Sequence, residues 1–261
     1  VRSTLSWIGL SCGALLILLA AATPVSAQSL PKRGSLTVYG LAGGINLHLD
    51  DVNSSLLETE SFLRDNFVQA NYSTFGLTFS LGAGLRYQIN PRFGIGAEYH
   101  YAKQDLTNDT FTGDPGTYAG FLNSASGKVQ DVGLVGTWYL PLDEGLFVGA
   151  GVGYGWSEMS QDVGLTDEAN PESNTFIRGS WTANGITGQA FLGYHFDFVW
   201  GTVVTLRGGY RYLNMTGPDG KTVQETIDGT VETNNLPLGT LDWDFSGWNA
   251  VLTLGYSFFG G

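Results

Sequence analysis

Eight ionisable residues, Arg86, Glu98, His100, Asp131, His195, Asp197, Arg207 and Arg211, share one side of alternating segments whose other side is apolar. Such groups offer three kinds of chemistry. Guanidinium and carboxylate can pair and hydrogen-bond in a desolvated interior. The same charges can line a narrow water path and bias what passes along it. A histidine can serve as general base for a nucleophile, as acyl transfer at a lipid-facing site would need. That third chemistry wants its histidine on the apolar side. His48, His100 and His195 all fall on the opposite one, without Cys or acidic residues clustered at metal-ligand spacing. The residues therefore point to no catalytic site, no cofactor and no metal.

The elements that carry these groups have a period of two. Phe75, Leu77, Phe79, Leu81, Ala83, Leu85, Tyr87 and Ile89 interleave with Gly76, Thr78, Ser80, Gly82, Gly84, Arg86 and Gln88, which places the two sets on opposite faces of a strand. Eight strands are expected at about 35–49, 74–89, 93–105, 128–140, 145–157, 182–198, 202–214 and 243–259. Short turns alternate with long connections. Asn90-Pro91-Arg92, Pro141–Glu144 and Val199-Trp200-Gly201 are the short ones, while 50–73, 106–127, 158–181 and 215–242 read as polar loops. No helix or second sheet is at hand to cover the apolar faces, so lipid must. A sheet in lipid has to close on itself, because a free edge would leave backbone groups unpaired in hydrocarbon. The expectation is an all-β, eight-stranded antiparallel up-and-down transmembrane β-barrel, with turns and both termini periplasmic.

On this reading the lipid face includes Tyr39, Leu41, Ile45 and Leu47 on the first strand, then Val132, Leu134 and Trp138, and Ile186, Ala190 and Leu192 further on. Aromatic residues gather at both ends of the outward sets. Tyr87, Phe93, Phe196, Phe198, Trp200 and Phe258 mark the periplasmic interface, and Tyr99, Tyr101, Tyr154, Trp156, Tyr210, Tyr212 and Trp248 the outer one. Inside, Gly149, Gly151, Gly153 and Gly155 make room in a narrow lumen; a phosphate loop would need a helix after it. A turn centred on Pro91 makes Arg86 a diagonal neighbour of Glu98. A turn centred on Trp200 sets Arg211 opposite Gln189 and Arg207 opposite Gly193.

Arg2, the apolar run Ile8 to Ala22 and Val25-Ser26-Ala27 read as a cleaved signal peptide over 1–27, leaving a barrel domain at 28–261. The single cysteine, Cys12, lies within that signal, so the exported chain forms no disulfide. A net charge of −12 argues against nucleic acid, whose phosphates need basic surface. The acids crowd into the long connections: Asp50, Asp51, Glu58, Glu60 and Asp65; Asp105, Asp109 and Asp114; Glu158, Asp162, Asp167, Glu168 and Glu172; Asp219, Glu225, Asp228, Glu232 and Asp242. They read as a solvated acidic crown. Bridging by divalent cations is the sharper alternative, although no loop has calcium-loop spacing. Ser55 and Glu58 have capping-box spacing, which leaves a short helix or an irregular loop open for that segment.

Signal, alternating strands, turn and loop rotation, and the aromatic-rich end Leu252-Thr-Leu-Gly-Tyr-Ser-Phe-Phe259 together resemble the small eight-stranded outer-membrane β-barrels of the opacity-protein, OmpA-transmembrane and OmpX type. The resemblance implies a Gram-negative outer-membrane location, with lipid and lipopolysaccharide as surroundings and an assembly machinery that reads the last strand. It also implies a structural or surface-interaction role, such as envelope integrity, adhesion or host-factor binding at the loops. A narrow channel for small solutes or ions is the alternative, and a lipid-modifying enzyme a third. The parity itself is testable: Arg at Leu81 or Leu206 is expected to cost about 2–4 kcal/mol in bilayer refolding, and Arg at Ser80 or Thr205 to be tolerated.

Overall fold

Period-two segments satisfy their backbone only by pairing with neighbours, and a computed structural model shows the pairs. It describes residues 30–46, 53–54, 56–58, 60–61, 64, 72–108, 110–112, 119–167, 175–216, 219–226, 231–234 and 242–258. The expected signal peptide with Cys12, and Leu47, His48, Ser55 and Phe259, lie outside them. So do Asp50, Asp51, Asp65, Asp109, Asp114, Glu168, Glu172 and Asp228 of the acidic connections.

Twelve strands occur among the described residues: β1 (Leu36–Asn46), β2 (Leu77–Asn90), β3 (Phe93–Thr107), β4 (Thr110–Thr112), β5 (Ala119–Tyr139), β6 (Leu146–Asp167), β7 (Thr175–Asp197), β8 (Thr202–Thr216), β9 (Asp219–Thr226), β10 (Val231–Asn234), β11 (Asp242–Asp244) and β12 (Gly247–Phe258). Eight of them close the ring β1-β2-β3-β5-β6-β7-β8-β12, every pair antiparallel, with Leu36 opposite Phe258 where β12 returns to β1. The barrel is the expected one. Its turns follow local chemistry: the Asn90 side chain accepts from the backbone N–H of Arg92 and of Phe93, both at 2.9 Å. At the β7–β8 turn, Trp200 and Gly201 both take positive φ, 66° and 79°.

Three of the connections expected to be loops are instead largely strand. β5, β6 and β7 run 21, 22 and 23 residues, about twice the 9–11 that a crossing requires. Their outer halves stay paired with one another above the membrane. Where β8 leaves β7, β9 takes its place on the β7 edge, and β10 pairs with β9. Polar residues alternate through 158–162 as readily as apolar ones do lower down, so pairing continues past the hydrocarbon. In the first connection the described residues of 53–64 are helical. The pair Arg64–Glu60 at 2.7 Å spans one turn of that helix, and Leu56 is buried beneath it.

The outward parity holds on seven of the eight ring strands: Leu134, Val152, Ile186 and Leu254 are each at least 60% exposed. It fails on β1. There Val38 is outward, while Tyr39, Leu41 and Ile45 point into the lumen. β1 is apolar or small on both faces, so its own pattern does not select a register. Its partner does: Tyr39 lies opposite Gly84, and a Cβ on Gly84 would come within 2.6 Å of the tyrosine ring. Phe75, expected on the lipid face, precedes β2 and is buried at the mouth, where the Asn53 side chain bonds both its N–H and its carbonyl.

Leu81 and Leu206 face lipid, but the expected tolerance at Ser80 and Thr205 is overturned: both are buried, and Thr205 Oγ1 lies 3.3 Å from His195 Nδ1. Thr205→Arg is therefore expected to destabilise at least as much as Leu206→Arg, by overfilling a closed interior and adding an unpaired charge; parallel urea titrations in phospholipid vesicles compare the two.

Candidate functional site

The lumen is filled in layers, and the middle one is polar. Glu98 of β3 lies at its centre. Arg207 of β8 donates to both carboxylate oxygens, at 2.7 and 2.8 Å, and the Tyr39 hydroxyl donates to Oε1 at 2.7 Å. Gln189 Nε2 donates to Oε2 at 3.3 Å, and His100 Nε2 lies 3.2 Å from the same oxygen. β3 and β8 are four places apart whichever way the eight-strand ring is counted, so this bidentate pair spans the full diameter. Arg207 also rests 4.6 Å over the Phe191 ring.

A second diameter joins β2 to β7. Arg86 Nη2 lies 3.4 Å from His195 Nδ1, and His195 Nε2 lies 3.1 Å from Asp197 Oδ1. Guanidinium only donates and carboxylate only accepts, so the chain of contacts calls for the tautomer with hydrogen on Nε2. Tyr139 is enclosed here, its ring edge-on to His195 at 5.6 Å and beneath Arg86 at 5.9 Å. Arg211 of β8 pairs with Asp131 of β5 above the Glu98 level. Between the two diameters, a cavity of about 20 Å³ is lined by Tyr39, Arg86, Glu98 and Arg207; it has room for one water molecule.

All eight ionisable residues expected in the lumen are there. Arg86 and Glu98 are diagonal neighbours as expected from the turn arithmetic, yet each bonds across the barrel rather than to the other. Tyr39 was missed because the β1 parity was inverted.

Also missed was the layer above. Towards the outer mouth the interior becomes apolar: Ile45, Val129, Met159, Leu213, Met215, Trp243 and Phe245 are buried in one cluster with Leu56, Phe75 and Trp181. β11 and the two residues after it continue the β12 ladder along β8 in the same register, with Trp243 and Phe245 turned inward and Asp244 exposed; Phe245 N–H donates to the Leu213 carbonyl at 2.8 Å, and Ser246 Oγ accepts from Leu213 N–H at 2.9 Å. A signal for this change exists on β8, whose inward residues run Arg207, Arg211, Leu213, Met215. Beneath the polar layer, Val135, Tyr139, Phe147 and Phe191 fill the periplasmic end, with Leu30 packed against them. An apolar layer of this kind opposes the passage of hydrated ions.

A family model described as outer membrane protein beta-barrel domain matches residues 13–258. No curated protein matches the chain in sequence. Among solved structures, the attachment invasion locus protein Ail of Yersinia pestis is 11% identical, covering 87% of this chain and 99% of its own at TM-score 0.39. OprG of Pseudomonas aeruginosa is 14% identical, with coverage of 90% and 100% at TM-score 0.40. The outer membrane protease OmpT of Escherichia coli is 12% identical, with coverage of 90% and 99% at TM-score 0.37.

Removing one partner of the central pair strands a buried charge. Arg207→Ala is expected to cost about 3–5 kcal/mol, and the double variant Glu98→Gln with Arg207→Met to recover most of that; equilibrium unfolding of the three proteins in one lipid measures both.

Proposed function

The chain belongs to the outer membrane protein beta-barrel domain family, and from that premise we propose that it acts at the cell surface, by contact through its projecting sheet, and does not conduct. What carries this reading is the contrast between a lumen closed in three layers and a wall that continues well beyond the membrane. The projection consists of the outer halves of β5, β6 and β7 extended by β9 and β10. Among the described residues β10 pairs only with β9, so its other edge offers backbone donors and acceptors to an incoming strand.

The acidic crown is also less uniform than its composition. Lys103 pairs with Asp105 at 3.0 Å, Lys128 with Glu158 at 3.1 Å, and Arg178 with Asp162 at 2.8 Å. Exposed pairs of this kind add little stability, but they convert like-charged strands into a mixed surface on which Phe176 and Ile177 are exposed. Such a surface suits recognition of a protein or carbohydrate partner better than capture of divalent cations. The surroundings follow from the location: lipopolysaccharide around the upper wall, and an assembly machinery that reads β12.

Two measurements test the proposal. The exported chain in planar bilayers is expected to stay silent, and discrete conductance steps would favour the channel instead. Cells displaying a variant with 219–234 replaced by a short turn are expected to bind epithelial monolayers at least tenfold less, with the amount of folded protein in the membrane unchanged. Undiminished binding would sink the surface reading.

A further inference from the structure

The lipid-facing wall is not evenly convex. Between β2 and β6 it holds a groove of about 680 Å³ lined by Leu85, Ile95, Ala97, Leu134, Gly136 and Val152, with Tyr87 at one end. Register explains the hollow. Gly136 lies opposite Ile95 on one side and Ala150 on the other, and Ala97 lies opposite Leu134; side chains of one carbon or none therefore form a floor between larger ones that form walls. Phe93 and Trp138 close the lower end, ring against ring at 6.3 Å.

Cations stand directly below. Among the described residues, Lys32, Arg33 and Arg92 are the lysines and arginines at the turn end of the barrel, and all three are exposed. The backbone of Arg92 is held at the foot of the groove, its carbonyl accepting from Tyr139 N–H at 2.8 Å, and its side chain is exposed. It lies three residues from Ile95, roughly 10 Å along the strand. Gly34 N–H bonds the Gln88 carbonyl at 2.8 Å, which holds Lys32 and Arg33 beside the same end of β2. The acids at this end include Asp143 and Glu144 on the neighbouring β5–β6 turn, and Asp197 at the end of β7, which lies 3.1 Å from His195 Nε2. Of these, Asp143 already accepts from Gly145 N–H and the Tyr194 hydroxyl, and Glu144 is exposed.

We propose that this groove and the basic turn beneath it form a site for one anionic phospholipid of the periplasmic leaflet, with an acyl chain along the floor and the phosphate against Arg92. The inference goes beyond surface contact and rests only on residence in the outer membrane. A second copy of the chain is the poorer occupant. In a two-fold contact the same hollow would face itself and leave the space unfilled.

The test uses the whole exported chain, reconstituted in vesicles of phosphatidylethanolamine and phosphatidylglycerol and extracted into mild detergent, with bound lipid counted by native mass spectrometry. One phosphatidylglycerol per chain is expected to survive extraction. Gly136→Ile fills the floor and is compatible with folding, since an added Cβ meets Phe93 only at 3.8 Å; it is expected to cut retention at least tenfold. Arg92→Gln is expected to cut it at least threefold and to abolish the preference over phosphatidylethanolamine. Ala250→Leu, outward on β12 and so across the ring from β5, is expected to change nothing. Retention unaffected by Gly136→Ile, equal retention of the two lipids by the unaltered chain, an equal loss in Ala250→Leu, or lipid-free pairs of chains that Gly136→Ile separates would each overturn the site.

Discussion

Hydrocarbon offers no partner to a backbone N–H or carbonyl, and the organisation of this molecule depends on that constraint. It forces the spanning strands to close, and closure with eight strands leaves an interior only wide enough for side chains. Whatever points inward must then be satisfied by other inward groups. Five donors or donor-capable groups around Glu98, from β1, β3, β7 and β8, are the answer at mid-height. The periplasmic and outer layers meet the same demand with aromatic and aliphatic packing.

This layering separates two tasks. Within the membrane, the inward side chains pack against and bond to one another across the barrel. Above it, water can satisfy an open edge, and the strands are free to continue as a sheet with unequal lengths. The lipid-facing side is bound by neither requirement, and its unevenness follows from where small residues fall in register.

Much of this was legible in the residues. Alternation located all eight ring strands, and the turn arithmetic placed Arg86, Gln189, Arg207 and Arg211 correctly against their neighbours, because two-residue periodicity and short turns are local properties. Three features were not local. The β1 face was decided by Gly84 on the next strand rather than by anything in Leu36–Asn46. The outer reach of β5, β6 and β7 was hidden because polar strands in water look like loops when hydrophobicity is the guide. The apolar stopper is assembled from β8, from the outer continuation of β12 at 242–246 and from the helical residues near 56, which approach one another only in the closed ring.

The two spans across the lumen carry a mechanical consequence. A hoop of strands is softest towards flattening into an ellipse, and an ellipse can form in two independent orientations. β3–β8 and β2–β7 are adjacent diameters, separated by about 45° in an eight-strand ring. A strut at one angle resists one elliptical mode; a second strut turned by that amount resists the other. Glu98–Arg207 and Arg86–His195 together therefore brace the cross-section against both, holding it round under uneven lateral pressure from the bilayer.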